Sequence, residues 1–312
     1  MLQETFEKYV KMISSRDLSD LRYCLKALLK ACNLIYNEPI RLKVHLNERD
    51  HDSALMIQKA MLHGFSIEKL VEGVCVKYPN SENEVCTYEP LSMVVICRSL
   101  LESFLTFNHI NAIPNDLEKE MRFKIWTIYG LRNRTKIEKN LYDYEKKKFR
   151  ETLLKDNNDI NELTSEIEQS QLFNNLTEEK KSALLKTIKT EWKIEFNETT
   201  FKPLGWQDLL ENAGMKRSLR IEAYNFLSWY AHTTSICIYQ LRDIHKDGFI
   251  KLLLANTLKY SSFFISMSIA DLIRLNECYK KSYQEIDQEL KDWINLYNYF
   301  VRGNEYTIEK IE

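Results

Sequence analysis

The late part of the chain contains one long apolar stretch, FIKLLLANTLKYSSFFISMSIADLIRL, which runs from Phe249 to Leu275. Lys251, Lys259 and Asp271 interrupt it, and charged side chains are rare and costly at the centre of a bilayer. The stretch is therefore predicted to be a core helix and not a membrane span. The segment Met1–Val10 is charged and lacks the apolar run of a signal peptide, so we expect a cytoplasmic protein.

The composition favours long helices over strands. The chain of 312 residues is 44% hydrophobic and 29% charged, which is typical of a folded globular protein. It contains only 7 glycines and 5 prolines, whereas all-β folds use many of both in tight turns. We therefore predict an all-α fold, a multi-helix bundle. The formal net charge of −1 gives no overall attraction to nucleic acid, anionic membranes or acidic substrates.

Apolar residues recur at helical spacing in several segments, and glycine and proline mark their ends. The stretch Val76–Tyr88, which contains a Pro-Asn-Ser sequence, is predicted to be a loop. The predicted helices are Asp17–Tyr36, Asp52–Leu62 with Gly64 as its C-cap, Ser66–Leu70, Pro90–Asn111, a long helix from Asp116, Gln207–Ala213, Lys216–Ile244, Phe249–Asn276 and Ser282–Phe300.

The middle of the chain is rich in charge, and its two halves have opposite bias. Residues 116–150 contain 11 Lys or Arg against 6 Asp or Glu, while residues 151–200 contain 6 against 11. Such segments are predicted to fold back on each other as an antiparallel helical hairpin. The predicted organisation is a single helical domain, 1–312, with a bundle made of 1–115 and 205–312 and an inserted charged helical hairpin at 116–204.

The basic arm 116–150 has an alternative interpretation as a binding surface. Clustered Lys and Arg side chains can bind the phosphates of RNA, so the candidate partner is RNA or a protein. The competing prediction is that the basic arm pairs with the acidic arm of the same chain. A homodimer is a further alternative for the whole chain, and no membrane association is expected. The cations of the arm include Arg132, Arg134, Lys146, Lys147, Lys148 and Arg150.

The cysteines are predicted to be reduced and buried, because no two have C-x-x-C spacing and several lie in apolar helical runs. An odd number of cysteines also agrees with a reducing compartment. The seven are Cys24, Cys32, Cys75, Cys86, Cys97, Cys237 and Cys278.

Polar residues interrupt two of the most apolar predicted helices. Because residues three or four apart lie on one face of a helix, each set forms a stripe, and we expect the two stripes to face each other. A polar stripe on an apolar helix is satisfied inside the protein or lines a cavity. The stripes are Arg98, Glu102, Thr106 and His109 in the first helix, and Asn225, Ser228, His232, Ser235 and Tyr239 in the second.

The candidate site consists of Arg98, Glu102, Ser228 and His232. Arg98 and Glu102 can pair at the i,i+4 spacing, and a carboxylate near His232 would orient the ring and favour its charged form. Such a group could perform acid–base chemistry or hold a phosphate. The alternative is a buried structural network that fixes the register of the helices.

Two short motifs carry a family resemblance. They are R-S-x-x-E at Arg98, Ser99 and Glu102, and Y-x-x-L-S-x-x-x-H at Tyr224, Leu227, Ser228 and His232. In these motifs the chain resembles a bacterial family of uncharacterised helical proteins, and a looser similarity covers about Asn47 to His232. The resemblance implies a helical fold and brings no activity with it.

The chain is also somewhat similar to the HEPN class of helical bundles, many of which are RNases of toxin and antiphage systems. Those nucleases resemble one another in an Arg followed four to six residues later by a His on one helix. Here Arg220 lies twelve positions before His232, and Arg98 lies eleven before His109. The resemblance would make His232 the acid–base group and Arg98 a cation supplied from another helix.

Other chemical motifs are missing from the sequence. Glycine-rich nucleotide motifs, Walker loops and hydrolase elbows do not occur. The segment from Glu48 to His51 is a single E-x-x-H motif, whereas a di-iron bundle needs two such motifs and further carboxylates. We therefore predict no cofactor and no metal site.

Three hypotheses of function remain, and they leave open whether the protein is an enzyme. The first is a non-enzymatic binding or regulatory helical protein, with a role in bacterial stress or phage defence. The second is a HEPN-like ribonuclease that uses His232 with Arg98 and Glu102. The third is a small-ligand-binding protein or another enzyme that uses the same pocket.

Overall fold

A computed structural model of the chain describes residues 7, 10–12, 14–77, 84–137, 142–232, 234–242 and 248–308. These residues are mostly helical, and the strands among them form two short antiparallel pairs, so the all-α prediction is confirmed. The chain divides into two compact units, which are described separately. The first is Met1–Asn108 with Leu210–Glu312, and the second is His109–Leu209. The single domain over 1–312 stays a prediction.

The elements follow one another with short connections. In chain order they are α1 (Leu18–Tyr36), α2 (Glu38–Arg41), α3 (Glu48–Leu70), β1 (Val74–Lys77), β2 (Glu84–Thr87), α4 (Pro90–Asn111), α5 (Asp116–Ile137), α6 (Asp143–Gln169), α7 (Gln171–Asn174), α8 (Glu178–Thr187), β3 (Ile194–Phe196), β4 (Phe201–Pro203), α9 (Trp206–Asn212), α10 (Arg217–Ala231), α11 (Ser235–Arg242), α12 (Phe249–Leu275), α13 (Glu277–Glu285), α14 (Gln288–Val301) and a 3₁₀ turn (Asn304–Tyr306).

Helix α12 is the core of the first unit. Every residue from Tyr260 to Ile273 is buried, and the helix packs against α1, α3, α13 and α14. Most of its serine and threonine hydroxyls are satisfied one turn back in the helix, as in Ser261 Oγ, which donates to Thr257 O at 2.7 Å, while Ser266 Oγ donates to Ile294 O on α14 at 3.0 Å. Hydroxyls that are satisfied within their own helix can be buried at little cost, which explains a serine-rich core helix. The prediction of a core helix from Phe249 is confirmed.

A buried ion pair crosses this core. Arg302 donates from Nη1 and Nη2 to the two carboxylate oxygens of Asp271, both at 2.7 Å. The two side chains are 0% and 1% exposed. Asn108 Nδ2 donates to Asp271 Oδ2 at 2.7 Å, which connects the same carboxylate to α4. The interaction therefore ties α12, α4 and the segment after α14 together.

Helix α3 corrects the predicted break at Gly64. The helix runs without interruption from Glu48 to Leu70, so Gly64 is not a C-cap. A Cβ atom at this position would lie 2.6 Å from Leu29 Cδ2 and 3.4 Å from Ile265 Cδ1. The missing side chain at Gly64 leaves room for Leu29 of α1, so this glycine serves packing and does not mark a turn.

The C-terminal helices are also more divided than predicted. The helix expected over Lys216–Ile244 ends at Ala231 and resumes at Ser235, and residues 233 and 243–247 lie outside the described part of the chain. The helix expected over Ser282–Phe300 is two helices, α13 and α14. Ile286 separates them with an extended backbone, φ −72° and ψ 159°.

The predicted loop at Val76–Tyr88 is wrong where two strands lie, its residues 78–83 lie outside the described part of the chain, and the predicted state of two cysteines is wrong. Strands β1 and β2 pair antiparallel there, with Cys75 directly opposite Cys86. Both residues are exposed, and a disulfide joins their sulfur atoms. The prediction failed because the register of a hairpin is not visible in the spacing of cysteines. The other five, Cys24, Cys32, Cys97, Cys237 and Cys278, are free and buried as predicted.

The second unit contains the predicted charged hairpin. Helices α5 and α6 pack together, and ion pairs join them at two places. Lys124 Nζ lies 2.9 Å from a Glu166 oxygen, and Arg134 Nε lies 2.7 Å from Asp156 Oδ2. Lys124 in the first half of α5 pairs with Glu166 near the end of α6, whereas Arg134 near the end of α5 pairs with Asp156 in the middle of α6. The two helices are therefore antiparallel. The basic and acidic arms therefore neutralise each other in part.

Within the described residues, α4 is the one helix long and apolar enough to cross a membrane. Most of it is inside the protein, since 61% of the relevant window is buried. This burial is what the core helix of a soluble protein shows. The cytoplasmic location stays a prediction.

Replacing Gly64 by Ala is expected to destabilise the first unit by about 1–3 kcal/mol, because fully buried Leu29 would have to move. The matched control is Gly130→Ala in α5, where a new Cβ would meet nothing within 4 Å. That change is expected to stabilise the second unit by about 0.5–1 kcal/mol through helix propensity. Urea unfolding measures both, and changes of the same sign would contradict the packing argument.

Candidate functional site

Arg98 joins two of the helices on which the candidate residues lie. Its Nε donates to Glu102 Oε1 at 2.9 Å, one turn further along α4. Its guanidinium carbon lies 4.4 Å from the centre of the Tyr224 ring on α10, within range of a cation–π interaction. The Arg98 side chain is 8% exposed and that of Glu102 is 40% exposed. The cation is thus covered while the carboxylate reaches solvent.

The residues of the α10 stripe lie mainly on the solvent side. Asn225, His232, Ser235 and Tyr239 are exposed, and Ser228 is half-buried. His232 follows the last residue of α10, and its backbone N–H donates to Ser228 O at 3.2 Å. This bond closes the helix, so His232 lies at the helix end and not within it. Ser228 Oγ makes no hydrogen bond to any group of the described residues.

The structure therefore brings the candidate residues together only in part. Arg98 and Glu102 form the predicted pair, and Tyr224, one turn before Ser228, provides the contact between α4 and α10. The assignment of Arg98, Glu102, Ser228 and His232 as a catalytic set stays a prediction. The observed contacts attach α10 to α4 through the buried guanidinium of Arg98. Tyr224 belongs to one of the two sequence motifs, but the sequence could not assign its aromatic ring a partner.

A second polar contact lies on the same motif. Ser99 Oγ is 3.0 Å from His63 Nε2 on α3, and both residues are half-buried. Burial lowers the pKa of His63, and the charge of Lys59 adds to that effect. A neutral imidazole at this distance can accept the hydroxyl proton in a hydrogen bond. The contact joins α3 to α4 in the first unit.

His109, the last member of the α4 stripe, belongs to the second unit. It is 3% exposed, and its Nδ1 lies 3.1 Å from Arg122 Nη1. A guanidinium only donates, so Nδ1 is the acceptor and the proton is on Nε2. The Nε2 atom has no hydrogen-bond partner within the described residues, and the ring meets Trp192 edge-on at 5.6 Å.

The surroundings of His109 keep its ring neutral. Burial is the main reason that its pKa lies well below the ordinary value of 6.5, and the charges of Arg122 and Lys193 add to it. Arg122 is itself balanced, since its Nε donates to Glu118 Oε1 at 2.9 Å. The sequence grouped His109 with Arg98 by spacing alone, and it gave no signal for the partnership with Arg122.

The second unit also contains a cleft of about 730 Å³, which is within the size range of small-molecule sites. Glu118, the partner of Arg122, is in its lining. Among the described residues that line the cleft, none belongs to the candidate set. Amide side chains in the lining are Asn115, Gln171, Asn175 and Asn197.

The basic arm uses several of its cations internally, among them Arg122, Lys124 and Arg134. Arg134 pairs with Asp156, whose side chain is 2% exposed. Lys147 and Arg150 are exposed, whereas the side chains of Lys146 and Lys148 lie outside the described part of the structure. Binding of RNA or protein by this arm stays a prediction.

Comparison of the chain with protein-family models, with curated proteins and with solved structures finds no match. The resemblances to the uncharacterised helical family and to HEPN bundles therefore stay predictions.

His109 is expected to make the second unit less stable below pH 6.5. The unfolded chain takes up a proton there, and the folded ring, with its lowered pKa, does not. Stability attributable to His109 is thus present above pH 6.5 and falls by roughly 1 kcal/mol per pH unit below it, until the folded pKa is reached.

Urea unfolding of the wild type and of His109→Asn, measured between pH 7 and pH 5, tests this effect. Asn keeps an acceptor near the Nδ1 position and removes the titration. The wild type should lose more stability than the variant, and the exposed control His51→Asn should behave as the wild type. Parallel pH profiles for the wild type and His109→Asn would contradict the assignment.

Proposed function

We propose that the protein is a non-enzymatic binding protein that holds a partner protein on an exposed apolar surface of α10 and α11. Large apolar side chains on both helices face solvent, and each is at least 37% exposed. Large apolar side chains that stay exposed on two successive helices are candidates for contact with a partner. The residues of this α10–α11 surface are Ile221, Trp229, Ile236, Ile238, Tyr239 and Leu241.

The observation that supports this most directly is the exposure of α11. Of its eight residues only Cys237 is buried. A helix of two turns is marginal by itself in water, so its attachment to α10 must stabilise it. That attachment includes a hydrogen bond from Tyr230 to Gln240 and one from Thr234 Oγ1 to Trp229 O at 3.1 Å. The helix is therefore held in place while its apolar side chains stay uncovered.

Covering this surface would release free energy for binding. Burial of apolar area contributes about 25 cal/mol per Å², and Trp, Tyr and Arg dominate the energetics of protein interfaces. The α10–α11 surface and its flanking Arg242 provide all three types. The guanidinium carbon of Arg242 lies 5.3 Å from the centre of the Tyr239 ring, so this pair is already arranged in the free protein.

The charges around the surface indicate the chemistry of the partner. Arg217 and Arg242 are exposed at the two ends of the helix pair. The nearby carboxylate of Glu222 accepts a hydrogen bond from Tyr260 Oη at 2.9 Å, which directs it toward α12. A partner segment with apolar side chains between Asp or Glu residues would complement this arrangement.

In this proposal, residues of the two sequence motifs hold the α10–α11 surface in position. The pair Arg98–Glu102 and the ring of Tyr224 fix the middle of α10 on α4. A fixed helix loses less conformational freedom when it binds a partner. We include in the proposal a cytoplasmic setting and a role in bacterial stress or phage defence. The five free cysteines agree with that setting, whereas the exposed Cys75–Cys86 disulfide is of a kind that is rare in a reducing compartment.

Photocrosslinking in cells that make the protein tests the proposal. Tyr239, 58% exposed, is replaced by p-benzoylphenylalanine, and Leu154 on α6, 56% exposed, receives the same replacement as a matched control. We expect a discrete protein adduct from position 239 and none from position 154. Adding Trp229→Ala should reduce the adduct at least about tenfold, because a central aromatic residue is lost.

Two results would contradict the proposal. One is the absence of a protein adduct at position 239, and the other is an adduct with nucleic acid in its place. The second outcome would favour the ribonuclease hypothesis. Circular dichroism of each variant confirms that the helical fold is kept.

A further inference from the structure

The β1–β2 hairpin places three metal-binding side chains together. Cys75 lies directly opposite Cys86, and Glu84 is two residues before Cys86 on the same face of β2. The two sulfur atoms and a Glu84 carboxylate oxygen all lie within 4.8 Å of one another. All three residues are exposed. The cluster is formed by strand register, since the two cysteines are eleven positions apart.

The sulfur atoms of the Cys75–Cys86 disulfide are the cysteine sulfurs that a reagent in solution can reach. Thiol–disulfide exchange requires that a thiolate reach a sulfur atom, and both sulfurs belong to exposed residues. The five other cysteines are buried. Burial also raises the pKa of the thiols of Cys32 and Cys97 to about 12 and that of Cys24 to about 11. A reductant or metal ion in solution therefore meets Cys75 and Cys86 first.

We propose that the reduced hairpin is a site for a thiophilic divalent cation of the Zn²⁺ class, with Cys75, Cys86 and Glu84 as ligands. A dithiol reductant opens the site. It supplies two electrons and two protons, the Cys75–Cys86 bond breaks to give two thiols, and the reductant becomes a cyclic disulfide. Metal binding then displaces the two thiol protons.

The ligand set suits this ion. Zn²⁺ binds thiolates at about 2.3 Å and carboxylate oxygens at about 2.0–2.2 Å, so ligand atoms around it lie within about 4 Å of one another. Two thiolates and one carboxylate give three ligands, and the fourth tetrahedral position stays open to water or to another ligand. Oxidation removes two of the three ligands at once. The disulfide and the metal are thus alternative ways of closing the same hairpin.

Cobalt titration of the full-length chain tests the site. The protein is reduced with dithiothreitol, desalted without oxygen and titrated with Co²⁺, whose thiolate charge-transfer absorption reports cysteine ligation. We expect one Co²⁺ per chain, displaced by Zn²⁺, and no such absorption from the oxidised protein. The double variant Cys75→Ser/Cys86→Ser should show none.

The third ligand is tested with a matched pair of variants. Glu84→Gln should weaken Co²⁺ binding at least about tenfold, since even the residues that only support metal ligands contribute that much. Glu151→Gln, an exposed carboxylate on α6, should leave the affinity unchanged. An unchanged affinity in Glu84→Gln would overturn the ligand set.

Alkylation followed by mass spectrometry gives a readout that does not depend on variants. The reduced, folded wild type should be modified at Cys75 and Cys86, and saturating Zn²⁺ should protect both. The proposal is overturned if reduced protein shows no cobalt–thiolate absorption. It is also overturned if that absorption survives in Cys75→Ser/Cys86→Ser, or if Zn²⁺ protects neither cysteine.

Discussion

The first unit depends on the buried carboxylate of Asp271. A charge at 1% exposure is tolerated only if it is paired and hydrogen-bonded, and Arg302 and Asn108 together provide that environment. Removing one partner from such a buried pair costs about 3–5 kcal/mol, because the other charge is left without compensation. Arg302 also lies over the rings of Phe104 and Tyr306, at 5.4 and 5.0 Å. This one interaction fixes where α4, α12 and the segment after α14 meet.

The candidate binding surface is attached to that core at defined points. Lys216, just before α10, donates from Nζ to the backbone oxygens of Tyr299 and Phe300 at 3.0 and 2.8 Å, near the end of α14. Arg98 then holds the middle of α10 through Tyr224. Beyond Ala231 the contacts decrease, and α11 buries a single side chain. The exposed apolar side chains of α11 therefore lie beyond the points at which α10 is attached to the core.

The sequence predicts those features that depend on local pattern. Helix α12 and the opposite charges of the hairpin arms could be found because apolar spacing and charge bias are properties of short segments. Gly64 was misjudged because its neighbour Leu29 lies on another helix. The disulfide was missed because strand register brings its cysteines together. The α10 stripe has correct helical spacing, but spacing cannot tell whether a polar face lines a cavity or meets solvent.

The central claim is that α11 is a preformed surface that no described part of the free chain covers. Hydrogen–deuterium exchange of the free protein tests it directly, because protection follows burial and local stability. Amides of Ser235–Arg242 should exchange at least about a hundredfold faster than those of Tyr260–Ile273 in the core of α12. Equal protection of the two segments would show that α11 is already covered and would contradict the account.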